Sequence, residues 1–136
     1  MKSILIVLFL LHSVAFPCNG ENRAKFNPLI ELGDSGKNNI HNKIKLYVPQ
    51  ILNKMKLANV HFAIGNDKSL LLPIKFYEDN EFPEYHRDGY GTIVYSANID
   101  VLKTIEVIAM YVHPKEPNGE ITFCFHTERF NLVDIM

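Results

Sequence analysis

Hydrophobic and polar residues alternate along several short stretches of this chain, which is the pattern of β-strands with one buried face. The clearest stretch is residues 43–48. Its two alternating sets are Ile44, Leu46 and Val48 against Lys43, Lys45 and Tyr47. Pro49 then ends the strand, because proline lacks the backbone N–H that a central strand must donate. The pattern therefore predicts a strand whose second face, with the two lysines and Tyr47, contacts water.

Three further stretches are strand candidates, and the first two of them have the same period of two. They are residues 60–64, 70–76 and 91–97. Pro73 lies inside the second of them and predicts an edge strand or a bulge there. A turn at 65–67 and a loop at 77–90 separate these strands, since both segments are rich in Gly, Asn, Asp and Pro.

Residues 49–58 allow more than one interpretation. Ile51, Leu52 and Met55 would share one face of a helix, and Pro49 is well suited to a first helical turn. The sequence therefore predicts a short helix or a bend before the strand at 60–64.

The last third of the chain predicts a β-hairpin, residues 104–112 with 120–129, around a turn that contains two prolines and an Asn-Gly pair. Pairing His113 with Glu120 sets the register. One face then carries the pairs Val112 with Ile121, Met110 with Phe123, and Ile108 with Phe125. The other face carries Tyr111 with Thr122, Ala109 with Cys124, and Val107 with His126. Because the first face is wholly apolar, we expect it to be buried in the core.

About six short strands predict a mainly β protein, a single-domain antiparallel β-sandwich or open barrel with at most one short helix. The alternative is an α+β fold with a helix near residues 100–111, which would place many β-branched residues in the helix. Residues 21–42 are rich in Asn, Gly, Asp and Lys and predict an irregular N-terminal extension. The β-rich domain is expected to span residues 43–136.

The first twenty residues have the pattern of a signal peptide, with Lys2, an apolar run at 4–11, and then small and polar residues. An apolar run of that length reaches only about 12 Å as a helix, against a hydrocarbon core of about 30 Å, so we expect no membrane span. Small residues fit cleavage after Ala15 or after Gly20. We therefore expect a secreted, extracellular protein.

The cleavage position decides what the two cysteines can do. Cleavage after Ala15 retains Cys18, which could then form a disulfide with Cys124, whereas cleavage after Gly20 leaves Cys124 alone. Neither outcome gives a disulfide-rich scaffold.

The chain has 136 residues, is 47% hydrophobic and has a net charge of −1, which fits one globular domain. The chain has no excess of Lys and Arg over Asp and Glu, and generic nucleic-acid binding requires such an excess. No nucleic-acid partner is therefore expected. Amino acids with A/T-rich codons are abundant, which is typical of a low-GC genome.

The sequence contains no Gly-rich phosphate loop, Gly-x-Ser-x-Gly, His-Glu-x-x-His or Cys-x-x-Cys motif. We therefore predict no catalytic residue, no metal and no cofactor. One alternative is a small secreted hydrolase or transferase that uses His86 with Asp88, or Cys124 with His126. Another is a carrier of a small apolar ligand inside an open barrel.

Residues 77–90, here called the acidic-aromatic loop, carry five acids, four aromatic residues and one arginine. Aromatic side chains are favoured at protein interfaces, and a negative loop would select a basic partner surface. The candidate binding residues are Tyr77, Glu78, Asp79, Glu81, Phe82, Glu84, Tyr85 and Tyr90. The sequence thus predicts a non-enzymatic protein that binds another protein, and a plain solvated loop is the alternative.

We expect the mature protein to begin at Phe16 or Glu21, because small residues occupy the −1 and −3 positions of both cleavage sites. Intact-mass spectrometry of material secreted by expressing cells measures this directly. A secreted product that retains Met1 would contradict the signal-peptide interpretation.

Overall fold

The computed structural model describes residues 25–33, 41–78, 81–113 and 125–136. Within these ranges the chain forms eight strands, one single-turn α-helix and two 3₁₀ turns, at Pro83–Tyr85 and Leu132–Ile135, so the mainly β prediction is confirmed. The strands are β1 Leu29–Leu32, β2 Asn42–Pro49, β3 Ile51–Leu52, β4 Met55–Ile64, β5 Leu70–Ile74, β6 Tyr90–Ala97, β7 Glu106–Val112 and β8 Phe125–Asn131. The segment predicted as a signal peptide, both cysteines and Asp79 lie outside the described residues.

The strands form two antiparallel sheets. The first sheet has the order β1-β2-β6, and the second has the order β3-β4-β7-β8, with β5 also paired to β4. Since β7 occupies one side of β4, β3 and β5 both lie on its other side, one near each end. As Pro73 predicts, β5 is an edge strand.

The two sheets bury their facing sides in one continuous core. Ile44, Leu46 and Val48 of β2 are fully buried, as their period of two predicts. From the other sheet, Phe62 of β4 packs edge-on against Tyr95 of β6, with ring centroids 5.2 Å apart. The hydroxyl of Tyr111 donates a hydrogen bond of 2.7 Å to the buried carbonyl of Pro49 and so links β7 to β2.

Residues 49–58 contain no helix, and the bend that the sequence allowed lies at Gln50. From Ile51 onward the segment forms a tight β-hairpin between β3 and β4. Asn53 and Lys54 both have positive φ, 50° and 66°, which is the conformation of a two-residue hairpin turn. Leu52 therefore pairs with Met55 across the turn, and Ile51 lies 59% exposed. The helical spacing of these apolar residues arises from a turn between two strands.

A β-bulge explains why the sequence revealed only the second half of β4. The pairing with β7 shifts between Leu57 and Asn59, which inserts one extra residue into β4. Met55 and Leu57 point into the core before the bulge, and Val60 and Phe62 do so after it. The alternation therefore changes phase within one ten-residue strand.

The hairpin of β7 and β8 forms, but its predicted register and core face are wrong. Val112 pairs with Phe125 instead of Ile121, a shift of four residues. Val107, Ala109 and Tyr111 are fully buried. In contrast, the predicted core residues Ile108, Met110 and Val112 are half-buried and Phe125 is 48% exposed. Ile121 and Phe123 lie outside the described residues.

The pairing with β4 determines which face of β7 is buried. Val107 lies opposite Phe62, and Ala109 lies opposite Val60. Directly opposed residues on antiparallel strands share a face, so the buried face of β4 continues onto these two residues. Both faces of β7 are apolar, and alternation within the strand could not distinguish them.

Two shorter segments also differ from the sequence-based interpretation. The apolar group at 29–32, assigned to an irregular extension, forms β1 and pairs with β2. The α+β alternative with a helix at 100–111 is wrong, because the helix, α1 Ile99–Leu102, is a single turn. The Asn98 side chain caps it by accepting from the Asp100 N–H, and β7 follows within four residues.

We expect Val107→Ala to lower the free energy of unfolding by about 2 kcal/mol, since it removes two buried methyl groups and leaves a cavity. Val112→Ala on the same strand is the matched control and should cost less than about 1 kcal/mol, because its side chain is half-buried. Urea unfolding curves measure both. A larger cost at Val112 would contradict the observed core face.

Candidate binding surface

The acidic-aromatic loop folds back over the outer face of the first sheet. Tyr47 of β2 and Thr92 of β6 are directly opposed on that face, yet they are only 5% and 0% exposed. The predicted water-facing side of β2 is therefore covered at Tyr47. The described part of the loop thus forms a second layer on the sheet.

Backbone contacts attach the loop to the sheet at its start, middle and end. Tyr77 and Thr92 exchange two hydrogen bonds of 2.8 and 2.9 Å. The Thr92 hydroxyl donates to the carbonyl of Tyr85 at 2.5 Å. At the end of the loop the Gln50 N–H donates to the carbonyl of Gly89, whose φ of 78° is readily adopted by glycine.

Three aromatic rings of the loop form a cluster: Tyr77, Phe82 and Tyr85. Their centroids lie 5.1 to 6.1 Å apart, within the range of favourable aromatic pairs. A 3₁₀ turn at Pro83–Tyr85 follows Phe82, and the Tyr85 N–H donates to the Phe82 carbonyl at 3.0 Å. Tyr77 and Tyr85 are half-buried and Phe82 is 45% exposed, so Phe82 is the ring most accessible to a partner.

Lysines next to the loop contact two of these rings. The ammonium group of Lys75 lies 4.9 Å from the centroid of Tyr77, and that of Lys45 lies 5.8 Å from the centroid of Tyr85. Lys45 also donates to the carbonyl of Glu84 at 3.4 Å. These cation–π contacts add an attraction between the loop and the strand residues beneath it.

Arg87 joins the end of the loop to β1 and β2. Its guanidinium lies 4.7 Å from the ring centroid of Tyr47 and 5.6 Å from that of Tyr90, and it forms an ion pair with Glu31 at 3.4 Å. Burial, and then the adjacent Glu31 carboxylate, raise the pKa of the Tyr47 phenol. Tyr90 also accepts a hydrogen bond from the Asn27 side chain, so it holds the chain that precedes β1.

The predicted binding residues therefore divide into two groups. Glu78 forms an ion pair with Lys56 at 3.1 Å, and Tyr90 is engaged with Arg87. Both stabilise the loop on the sheet. The exposed group consists of Glu81, Phe82 and Glu84, with Tyr85 half-buried beside them.

The sequence-based interpretation missed the residues that hold the loop. They are Lys45, Tyr47, Lys75, Arg87 and Thr92. Tyr47 offered the only available signal, because an aromatic residue on a face expected to contact water needs something to cover it.

Of the two pairs that carried the enzyme alternative, the structure describes His86 with Asp88 in full and, from the other pair, only His126. The His86 ring lies 2.8 Å from the Asp88 carboxylate, which is 96% exposed. His126 lies 2.7 Å from Glu128, opposite Tyr111 instead of Val107, and Cys124 lies outside the described residues. Among the described side chains, no cluster of three or more His, Cys, Asp and Glu residues could hold a metal ion.

Fold and surface together define a small antiparallel two-sheet protein in which a loop covers part of one outer face. No family model matches the sequence, and neither the curated proteins nor the solved structures compared with it gave a match. In the described part of the chain, no helix is long and apolar enough to cross a membrane.

We expect Thr92→Val to lower the free energy of unfolding by about 1 to 2 kcal/mol. The substitution keeps the shape of the side chain but removes the hydroxyl that donates to the Tyr85 carbonyl. Hydrogen exchange should accelerate at the Tyr85 and His86 amides, which the loop's own turn protects.

Ser96→Ala on the same strand is the matched control for Thr92→Val, since Ser96 is exposed. It should change stability by less than about 0.5 kcal/mol. Equal effects of the two substitutions on the loop amides would show that the Thr92 hydroxyl does not hold the loop.

Proposed function

We propose that this protein is secreted and acts by binding another protein through the acidic-aromatic loop. Phe82 is the apolar anchor of the interface, and Glu81 and Glu84 are its charged rim. The observation that carries the proposal is the exposure of Phe82, whose side chain is 45% exposed. Phe82 packs in a cluster of three rings, and the Tyr85 carbonyl of this cluster accepts a hydrogen bond from Thr92 of the sheet.

The attachment of the loop favours binding over a purely structural role. A flexible loop loses conformational entropy when it is immobilised at an interface, and a loop already held in place avoids much of that loss. Backbone bonds at Tyr77 and Gly89 and the hydroxyl bond at Tyr85 hold this loop in one arrangement. Phe82 is thus presented in a fixed position, as interface hot spots generally require.

The distribution of charge supports a partner with a basic surface. Glu78 is paired with Lys56, but Glu81 and Glu84 are exposed on either side of Phe82. Lys45, which contacts the Tyr85 ring, belongs to β2, and Lys75, which contacts the Tyr77 ring, directly follows β5. Complementary charges accelerate association more than they slow dissociation, so the two acids would act mainly by steering.

Immobilised protein should capture the partner from extracellular fluid. Phe82→Ala should abolish capture of this partner, because the substitution removes the aromatic side chain that anchors the interface. Leu71→Ala is the matched control, since Leu71 is 57% exposed on β5 of the other sheet, and it should retain the partner. Equal retention by the wild type and both variants would contradict the proposal.

Kinetic traces with the purified partner should separate the roles of the two residue types. Phe82→Ala should increase the dissociation rate by about thirtyfold or more, equivalent to about 2 kcal/mol. Glu81→Gln with Glu84→Gln should instead slow association and flatten its dependence on salt. Unchanged rates in both variants would exclude the loop as the interface.

A further inference from the structure

β8 is an edge strand with no described neighbour on its outer side. In the part of the chain that the structure describes, it pairs with β7 alone and ends the second sheet. The opposite edge strand, β5, contains Pro73, which interrupts its row of backbone donors. β8 contains neither proline nor glycine over its seven residues, so its outer edge can pair with another strand.

We propose that β8 pairs antiparallel with β8 of a second copy, forming a homodimer with its two-fold axis at Thr127. In this register Thr127 lies opposite Thr127 of the second copy, and His126 lies opposite Glu128 of the second copy. Phe125 lies opposite Arg129 of the second copy. By symmetry each unlike pair occurs twice, and the two five-stranded sheets become one continuous sheet.

Charge disfavours the registers centred on Glu128 and on Arg129, and the register centred on Thr127 avoids both of these contacts. A two-fold axis normal to the sheet places residues of the same face opposite each other. In every allowed register the axis therefore passes through one residue of β8, and neighbouring registers differ in which residue that is. An axis at Glu128 would place two carboxylates directly opposite each other, and an axis at Arg129 would place two guanidinium groups opposite each other. Like charges directly opposed across strands are destabilising.

The side chains of β8 are accessible to a second copy on both faces. On one face, His126 and Glu128 lie 2.7 Å apart and are 29% and 31% exposed. On the other face, Phe125 is 48% exposed, and the Arg129 side chain is 59% exposed although it forms an ion pair of 3.7 Å with Glu106 of its own β7. A cation–π contact with Phe125 of the second copy would use the exposed side of this guanidinium. A second copy is therefore the occupant that matches both faces.

Charge variants of the full chain test the register. Sedimentation over a range of protein concentrations should show a dimer for the wild type. His126→Glu should weaken dimerisation by about tenfold or more, because it places glutamates opposite each other twice. Glu128→Lys should also weaken it, since both His126–Glu128 pairs are lost.

An equimolar mixture of these two variants should restore the dimer, because the introduced glutamate then faces the introduced lysine. Asp100→Lys makes the same charge change as Glu128→Lys at an exposed position of α1 and should leave dimerisation unchanged. Circular dichroism confirms that each variant is folded. Failure of the mixture to recover would overturn the proposed register.

Cysteine cross-linking locates the axis independently, in a chain whose two native cysteines are replaced by serine. Opposed residues of antiparallel strands have Cα atoms about 4.5 to 5.5 Å apart, within the range that a disulfide spans. Thr127→Cys should therefore give a disulfide-linked dimer, whereas Arg129→Cys should not, because residue 129 faces Phe125 of the second copy.

Two results would overturn the homodimer itself. One is a wild-type protein that is monomeric at every concentration. The other is equal cross-linking of Thr127→Cys and Arg129→Cys, which random collision would produce.

Discussion

The packing of β4 against the first sheet is the contact on which the rest of the structure depends. Val60 and Phe62 of β4 are buried in the core, and Phe62 contacts Tyr95 of β6 directly. Because β5 and β7 pair with β4 on its two sides, their inward faces follow from its inward face. The bulge near Ala58 matters for the same reason, since it turns both halves of β4 toward one core.

The position of the acidic-aromatic loop follows from this arrangement. The chain leaves β5 at the edge of the second sheet and crosses to β6 of the first, where Tyr77 pairs with Thr92. Gly91 allows the crossing, because a Cβ atom there would lie 3.0 Å from the Phe76 ring and 3.2 Å from Leu57. With its base fixed in this way, the loop can lie on the outer face of β2 and β6.

The layer that results is held by side chains from separate parts of the chain. Arg87 connects Tyr47, Tyr90 and Glu31, and Lys56 connects β4 to Glu78. Exposed ion pairs contribute little individually. The guanidinium of Arg87 adds cation–π contacts with two rings, and the Thr92 side chain, which is fully buried, donates its hydrogen bond away from water. The loop thereby differs from a solvated connection, and its contacts give Phe82 a defined position on the surface.

The sequence by itself determined the strand-rich class, the buried face of β2, the edge position of β5 and the special composition of residues 77–90. Each of these depends on a local property: the alternation of side chains, the missing N–H of Pro73, or the composition of one loop. The same local reasoning identified Phe82 with its neighbouring acids as candidate binding residues.

Only the tertiary structure decided the hairpin at Asn53 and Lys54, the buried face of β7, and the division of the loop into anchored and exposed residues. Both faces of β7 are apolar, and its buried face was set by contact with Phe62 and Val60, which are distant in sequence. Likewise Arg87 finds Tyr47 and Glu31 only after β1, β2 and the loop have assembled. Local patterns cannot determine such features, because the groups that stabilise them meet only when separate segments of the chain pack together.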